Sequence, residues 1–281
     1  MQLTKPRVMI LVISSGLTAL VIEGGMMAEP LKILLFVAGL YLTGGSANAL
    51  NQYFEREIDR RMDRTRNRRP LPLNRLSPGM AVTFSILIGA AGTVLLWLAF
   101  NALTAIMALG TILFYSLFYT LYLKPRTEQN IVIGGVAGAM APVGAWAAAT
   151  GGTALTPWLL FTIIFLWTPA HFWALAVYCR DDYRRVGLPM YPVTKGLRPT
   201  LNGILVYTIL LVVASLTPLL TVAGWFYGAV AVVLGVTAIY HAARMRIRFD
   251  EDGIRRFFLH SMYYLTALLA ALVVDIVTGR L

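Results

Sequence analysis

The chain has 281 residues, of which 58% are hydrophobic and 13% charged, against about 25% charged in a soluble domain; with a mean hydropathy of +0.70 this excludes an ordinary soluble protein and describes an integral membrane one. The net charge of +11 could serve nucleic acid on a soluble face, but the basic residues lie in short segments between apolar runs, a topological pattern that excludes a nucleic-acid partner. Cys179 is the only cysteine, so no intrachain disulfide can form.

About 20 predominantly apolar residues cross the hydrocarbon core, and runs of that length predict nine helices near 8–26, 31–53, 80–100, 102–122, 130–149, 157–178, 201–220, 222–242 and 258–277. The first begins within MQLTKPRVMILV, which has no small-residue cleavage site after its apolar run and reads as a retained span. The second is expected to continue as a helix to about Met62, since no breaker precedes Pro70 and Pro72. With the N-terminus inside, 22 of the 24 lysines and arginines fall on the cytoplasmic side, leaving only Lys32 and Arg280 outside. The expected architecture is all-α and polytopic, one membrane-embedded domain over 1–281 with its N-terminus and its chemistry on the cytoplasmic side.

The densest charge follows the second span, in NALNQYFEREIDRRMDRTRNRRPLP from Asn48 to Pro72. Asn51, Glu55 and Asp59 are four apart, a spacing that rotates each by only about 40° on a helix and lines them along one face. Such an oxygen stripe suits a hard cation such as Mg²⁺, which takes one or two carboxylates and completes its shell with phosphate and water. The bland account, a solvated helix end with arginine pairs, leaves Asn51 unexplained at membrane depth, where a polar group faces a cavity or a partner. Arg56, Arg60, Arg61, Arg64, Arg66, Arg68 and Arg69 beside the stripe suit a phosphate or anionic headgroups. Asp63 is rotated off the stripe.

Further along, Tyr119, Lys124 and Arg126 close the fourth span. Pro125 fixes a turn that can aim the two cations inward at a phosphate, though such residues also serve as plain orientation anchors. Gly134, Gly135 and Gly138 permit close helix packing in a span too apolar for a nucleotide loop. His171 lies inside the sixth span with Trp167 and Trp173 nearby, as an acid, a base, a ligand or a buried structural histidine. An echo of the first acidic cluster follows in CRDDYRRVGLPMYPVTKG. Asp181 and Asp182 either enter a shared cavity opposite the first cluster or merely offset Arg180, Arg184 and Arg185. His241 and His260 read as interfacial, and Glu23, Glu29 and Asp275 lie toward the other side.

With those residues in view, the chain resembles the intramembrane prenyltransferases of the UbiA superfamily, whose Asn, acid, Asp pattern matches Asn51, Glu55 and Asp59. Within it the chain is similar to the branch acting on haem, through TKPRVM, REIDRRMDRTRNRRPLP, LKPRTEQNIVIGGVAGAMAP, HFWALA and DDYRRVGLPMYPVTKG, nearly end to end. It departs in having Glu55 where Asp is usual, and Arg185 where the second motif has an aspartate four after Asp181, leaving Asp182, with Asp181 beside it, as the second anchor. The resemblance implies nine helices around a central cavity open to the cytoplasmic side of a bacterial cytoplasmic (inner) membrane. It implies farnesyl transfer from farnesyl diphosphate to a vinyl group of haem B with addition of water, giving haem O for haem-copper oxidases.

The same resemblance implies Mg²⁺ on Asn51, Glu55, Asp59, Asp181 and Asp182, the diphosphate on Lys124, Arg126 and Tyr119, and haem near His171 and Trp173. Contact with a haem A synthase or a terminal oxidase assembly is a further implication. Two rivals stand beside this reading: a prenyltransferase for another aromatic acceptor such as 4-hydroxybenzoate, and a transporter of an anionic lipid or solute.

Overall fold

The computed structural model describes residues 2–279. Its helices in chain order are α1 (Pro6–Glu23), α2 (Pro30–Phe54), α3 (Arg56–Arg61), α4 (Asp63–Arg66), α5 (Pro78–Ala99), α6 (Ala102–Leu113), α7 (Asn130–Ala139), α8 (Ala141–Thr150), α9 (Leu155–Tyr178), α10 (Arg180–Arg185), α11 (Tyr191–Thr194), α12 (Leu197–Ser215), α13 (Trp225–Ile247) and α14 (Glu251–Gly279). Among the described residues nine helical segments are long and apolar enough to cross a membrane, one on each predicted run, and there is no strand.

Local chemistry starts and stops these helices. Proline stands in the first turn of α1, α2 and α5, where its missing N–H costs nothing and its fixed φ suits the helix. Ser77 and Asn101 cap α5 and α6 by accepting from the backbone N–H of Met80 (3.2 Å) and Thr104 (2.9 Å). Gly24 and Gly151 end α1 and α8 at φ 87° and 73°, in the left-handed region that glycine enters without a Cβ clash.

Three predicted helices differ in detail. The run 130–149 is divided between α7 and α8 at Met140, because Pro142 two residues on cannot supply an N–H to an unbroken helix. The helix expected to reach Met62 does persist to Arg61, but Glu55 interrupts it at φ −89°, ψ 2°. The last span starts at Glu251 instead of near 258, since hydropathy registers membrane depth while a helix continues into the polar interface.

Successive spans pack on one another, and α14 returns to pack on α1, so the nine spans close into a ring. α1 leans on the alanine-rich α8, whereas α7 leans on α9 and on the continuation of α6. Large apolar side chains such as Leu34, Ile86, Leu98 and Val233 point outward, as hydrocarbon requires, while α9, α13 and α14 bury Leu160, Ile163, Trp167, Tyr227, Tyr264 and Leu268.

Beyond Leu113, α6 continues as a π-helix over Phe114–Leu123. Its wider turn keeps residues four apart nearly in line, which lets Phe118 stack on Tyr122 (5.6 Å between rings, with Phe114 tilted against Phe118 at 5.5 Å) and Tyr115 on Tyr119 (5.2 Å). Such i→i+5 segments are rare and concentrate at functional sites.

Candidate active site

At the charged end Asn51, Glu55 and Asp59 are 2, 4 and 2% exposed. The break at Glu55 does not scatter them, because the amide of Glu55 still donates to Asn51 O (3.0 Å) and that of Asp59 to Glu55 O (2.8 Å). All three face inward onto cations brought by separate segments. Lys124, at the end of the π-helix, bonds Glu55 Oε1. Arg69, on the loop after α4, bonds Asp59 Oδ2 and lies 3.5 Å from Glu55 Oε2. Lys5, ahead of α1, donates to Asn51 Oδ1 at 3.0 Å, and Asn51 Nδ2 donates to Thr120 Oγ1 at 3.2 Å. Thr120 in turn donates to Tyr115 O at 2.7 Å, five residues back along the π-helix.

Buried charge makes these pairings obligatory, since an unpaired carboxylate out of water costs several kcal/mol. Burial alone would raise Glu55, but Lys124 and then Arg69 hold it down to about 2. Burial pushes the Asp59 carboxyl above its ordinary value, with Arg69 opposing and Glu55 adding. Burial, aided by the positive charge of Arg69, draws Lys5 down to about 7.

Among the described residues no three His, Cys, Asp or Glu side chains converge; the donor set is two carboxylates and an amide, all oxygen, bridged by one guanidinium. That composition fits a hard divalent cation that leaves positions for phosphate, and does not fit a thiolate or imidazole metal.

The second acidic segment does a different job. Both oxygens of Asp182 accept from the backbone, Asp63 N–H at 3.1 Å and Arg64 N–H at 3.0 Å, so it ties α10 to the start of α4. Arg185 adds a bond to Asp63 at 2.8 Å. Asp181 is 88% exposed and pairs with Arg184 at 3.3 Å, outside the cluster. Arg126 is exposed as well: it caps the π-helix through Leu121 O (2.9 Å) and Tyr122 O (3.3 Å) and covers the Tyr122 ring at 4.6 Å. Of the two cations closing the fourth span, only Lys124 therefore turns toward the acids. Tyr119 lies against Gly134, where a Cβ would come within 2.4 Å of its ring, and Gly135 makes similar room for Thr168 at 3.1 Å. A Cβ at Gly138 would meet no packed group within 4 Å, so close packing accounts for the first two glycines and not the third.

His171 and Trp173 occupy different faces of α9. The imidazole lies between Trp167 (4.3 Å, 17°) and Phe258 (4.4 Å, 24°), with Nδ1 2.7 Å from Ser261 Oγ. Trp173 stacks on Tyr191 (4.7 Å, 26°) in space left by Gly203, and its buried Nε1 has no hydrogen-bond partner among the described residues.

Sequence reasoning overlooked Lys5 and Thr120 at this site and placed Arg69 only within a list of arginines. The available signal for Lys5 was a lysine fixed by a following proline at the charged end; nothing in Thr120 distinguishes it from other span threonines.

Comparison with known proteins agrees with this architecture. The chain is 41% identical to the protoheme IX farnesyltransferase of Hyphomonas neptunium, over 99% of this chain and 91% of the relative. It is 44% identical to that of Erythrobacter litoralis, over 97% and 90%. A structure from work on digeranylgeranylglyceryl phosphate synthase superposes with a TM-score of 0.79 at 20% identity, over 99% of this chain and 100% of the other. A UbiA homolog from Archaeoglobus fulgidus bound to GPP and Mg²⁺ superposes with a TM-score of 0.66 at 16% identity, over 96% and 98%. The UbiA prenyltransferase family model matches residues 12–263, and the chain belongs to that family.

Proposed function

We propose that this chain transfers the farnesyl group of farnesyl diphosphate to a vinyl group of haem B with addition of water, giving haem O for haem-copper oxidases, within a single membrane-embedded domain over 1–281. The observation that carries a diphosphate chemistry is the buried stripe of Asn51, Glu55 and Asp59 faced by Lys5, Lys124 and Arg69. The choice of haem as acceptor is supported by the names of relatives more than 40% identical over nearly the whole chain.

In this reading Asn51, Glu55 and Asp59 hold Mg²⁺, which supplies Lewis-acid neutralisation of diphosphate oxygens when bound. The ionic pairs seen here keep the carboxylates compensated before substrate arrives. The Lys124 ammonium and the Arg69 guanidinium, which stand against the same carboxylates, would face the departing diphosphate and stabilise charge as it develops. The C–O bond of the substrate breaks with its electron pair on the diphosphate, and the allylic cation is attacked by the vinyl carbon. Water then adds to the resulting carbocation and a proton is lost, so that diphosphate and the hydroxyethylfarnesyl product balance the reaction.

Apolar walls of the ring exclude water until the new carbon–carbon bond has formed. Tyr119 lines the diphosphate side and is held there by Gly134, while Arg126 braces the segment that presents Lys124. Asp182 anchors the opposite side by fixing the start of α4, which carries Arg64; Asp181, exposed and paired with Arg184, is left out of this metal set. His171 and Trp173 lie on the haem side.

Positive charge at the active end orients it toward the cytoplasm in a bacterial inner membrane, and the apolar product passes to a haem A synthase or an oxidase assembly. Purified protein with labelled farnesyl diphosphate, Mg²⁺ and either haem B or 4-hydroxybenzoate tests this. Labelled haem is expected; labelled benzoate, or no product from either acceptor, overturns the assignment.

A further inference from the structure

Gln2–Thr4 form a short 3-10 helix laid against α2, with Leu3 and Thr4 buried. Gln52 holds it from below, donating from Nε2 to Gln2 O (3.3 Å) and Leu3 O (2.8 Å). The Thr4 hydroxyl lies 3.0 Å from that of Tyr41. Glycines of α2 make the bed: a Cβ at Gly45 would stand 3.2 Å from Thr4, and one at Gly44 only 2.5 Å from Met9. This is a clamped strap, and its last residue is the unusual one. Lys5 has φ 50° and ψ 62°, the left-handed conformation that a residue with a Cβ adopts only where its surroundings impose it. The strained backbone turns the side chain inward, and Nζ reaches Asn51 Oδ1 at 3.0 Å.

The three cations of the cluster are not alike. Lys124 and Arg69 are each engaged by a carboxylate. Lys5 rests on a neutral amide, and among the described residues no ion pair is formed by its ammonium. A cation held in a strained conformation beside two paired carboxylates, with no anion of its own, lacks the partner that such geometry serves. Surface topology does not account for it, since a charge that merely orients a span stays in water.

We propose that Lys5 is a ligand of the diphosphate, delivered by the Gln2–Lys5 strap, and that it neutralises the leaving group alongside Lys124 and Arg69. This rests on the reading of the cluster as a diphosphate site. Gly44, Gly45 and Gln52 are then positioning residues, whose role is to seat the strap so that its ammonium enters the site.

The test is calorimetric titration of the full-length protein in micelles with inorganic pyrophosphate and Mg²⁺, using wild type, Lys5→Gln, Lys5→Arg, Gln52→Ala and Asp59→Asn. Losing one charge-assisted hydrogen bond weakens binding roughly tenfold or more, which is expected for Lys5→Gln, with the KM for haem B and the melting temperature unchanged. Lys5→Arg should recover most of the affinity, and Gln52→Ala should weaken it a few fold while leaving Lys5 intact. Binding by Lys5→Gln within twofold of wild type, with Asp59→Asn inactive in binding, overturns the Lys5 assignment alone. Full binding by Asp59→Asn overturns the diphosphate site itself. If Lys5→Gln melts early, Gln52→Ala decides: unaltered pyrophosphate affinity there refutes delivery by the strap.

Discussion

Replacing Glu55 by Gln removes one charge from a site where the rest of the electrostatics are arranged around it. The carboxylate is 4% exposed, bonded to Lys124 and 3.5 Å from Arg69, and those cations hold it at about 2 against an ordinary 4.5. A shift of that size corresponds to roughly 3 kcal/mol, at about 1.4 kcal/mol per unit. Because the folded value is depressed, this stability is present in full above pH 4.5 and disappears as pH falls from 4.5 toward 2. For a chain of this size that is about 5–10 °C in melting temperature. Melting of wild type and Glu55→Gln in micelles with EDTA, from pH 3 to pH 7, should show that gap at neutral pH and no more than about half of it at the acid end. A gap below about 1 °C at pH 7, or an equal gap at both ends, would refute the ion-pair account.

Asp59→Ala should lower farnesyl transfer at least roughly 100-fold, the usual loss when a group aimed at developing charge is deleted, with membrane insertion retained; activity within a few fold of wild type removes Asp59 from the metal set. For Gly134→Ala, whose Cβ would fall 2.4 Å from Tyr119, a cost of about 1–3 kcal/mol is expected from overpacking, read as an earlier melt and a raised KM for farnesyl diphosphate. Gly138→Ala has nothing within 4 Å and should leave both within error, so equal effects from the two glycines would contradict the packing argument. His171→Ala should abolish the shift in the haem absorption spectrum on binding while leaving pyrophosphate affinity unchanged; the opposite pattern would place His171 on the diphosphate side.

Length and hydropathy sufficed for the nine spans, because satisfying every backbone group in hydrocarbon leaves a long chain of apolar residues little but helices. Spacing sufficed for the Asn51, Glu55 and Asp59 stripe, since i, i+4 geometry is local and survives even the break at Glu55. The charge count also foretold that the N-terminus and the loops after even-numbered spans would meet at one end, as the Lys5, Lys124 and Arg69 contacts require.

Partnership across the ring was another matter. Whether Lys124 or Arg126 turns inward depends on how the π-helix winds, and a ten-residue i→i+5 segment depends on ring stacking that apolar periodicity does not encode. The resemblance made Asp182 a second anchor, yet its oxygens meet the amides of Asp63 and Arg64 more than a hundred positions away in the chain. Lys5 counted only as a topological charge until the bed of Gly44, Gly45 and Gln52 turned it into the cluster. Local geometry is written in neighbouring residues; which charge meets which is decided by the closure of the ring, where the cost of burying an uncompensated ion selects one pairing over the others.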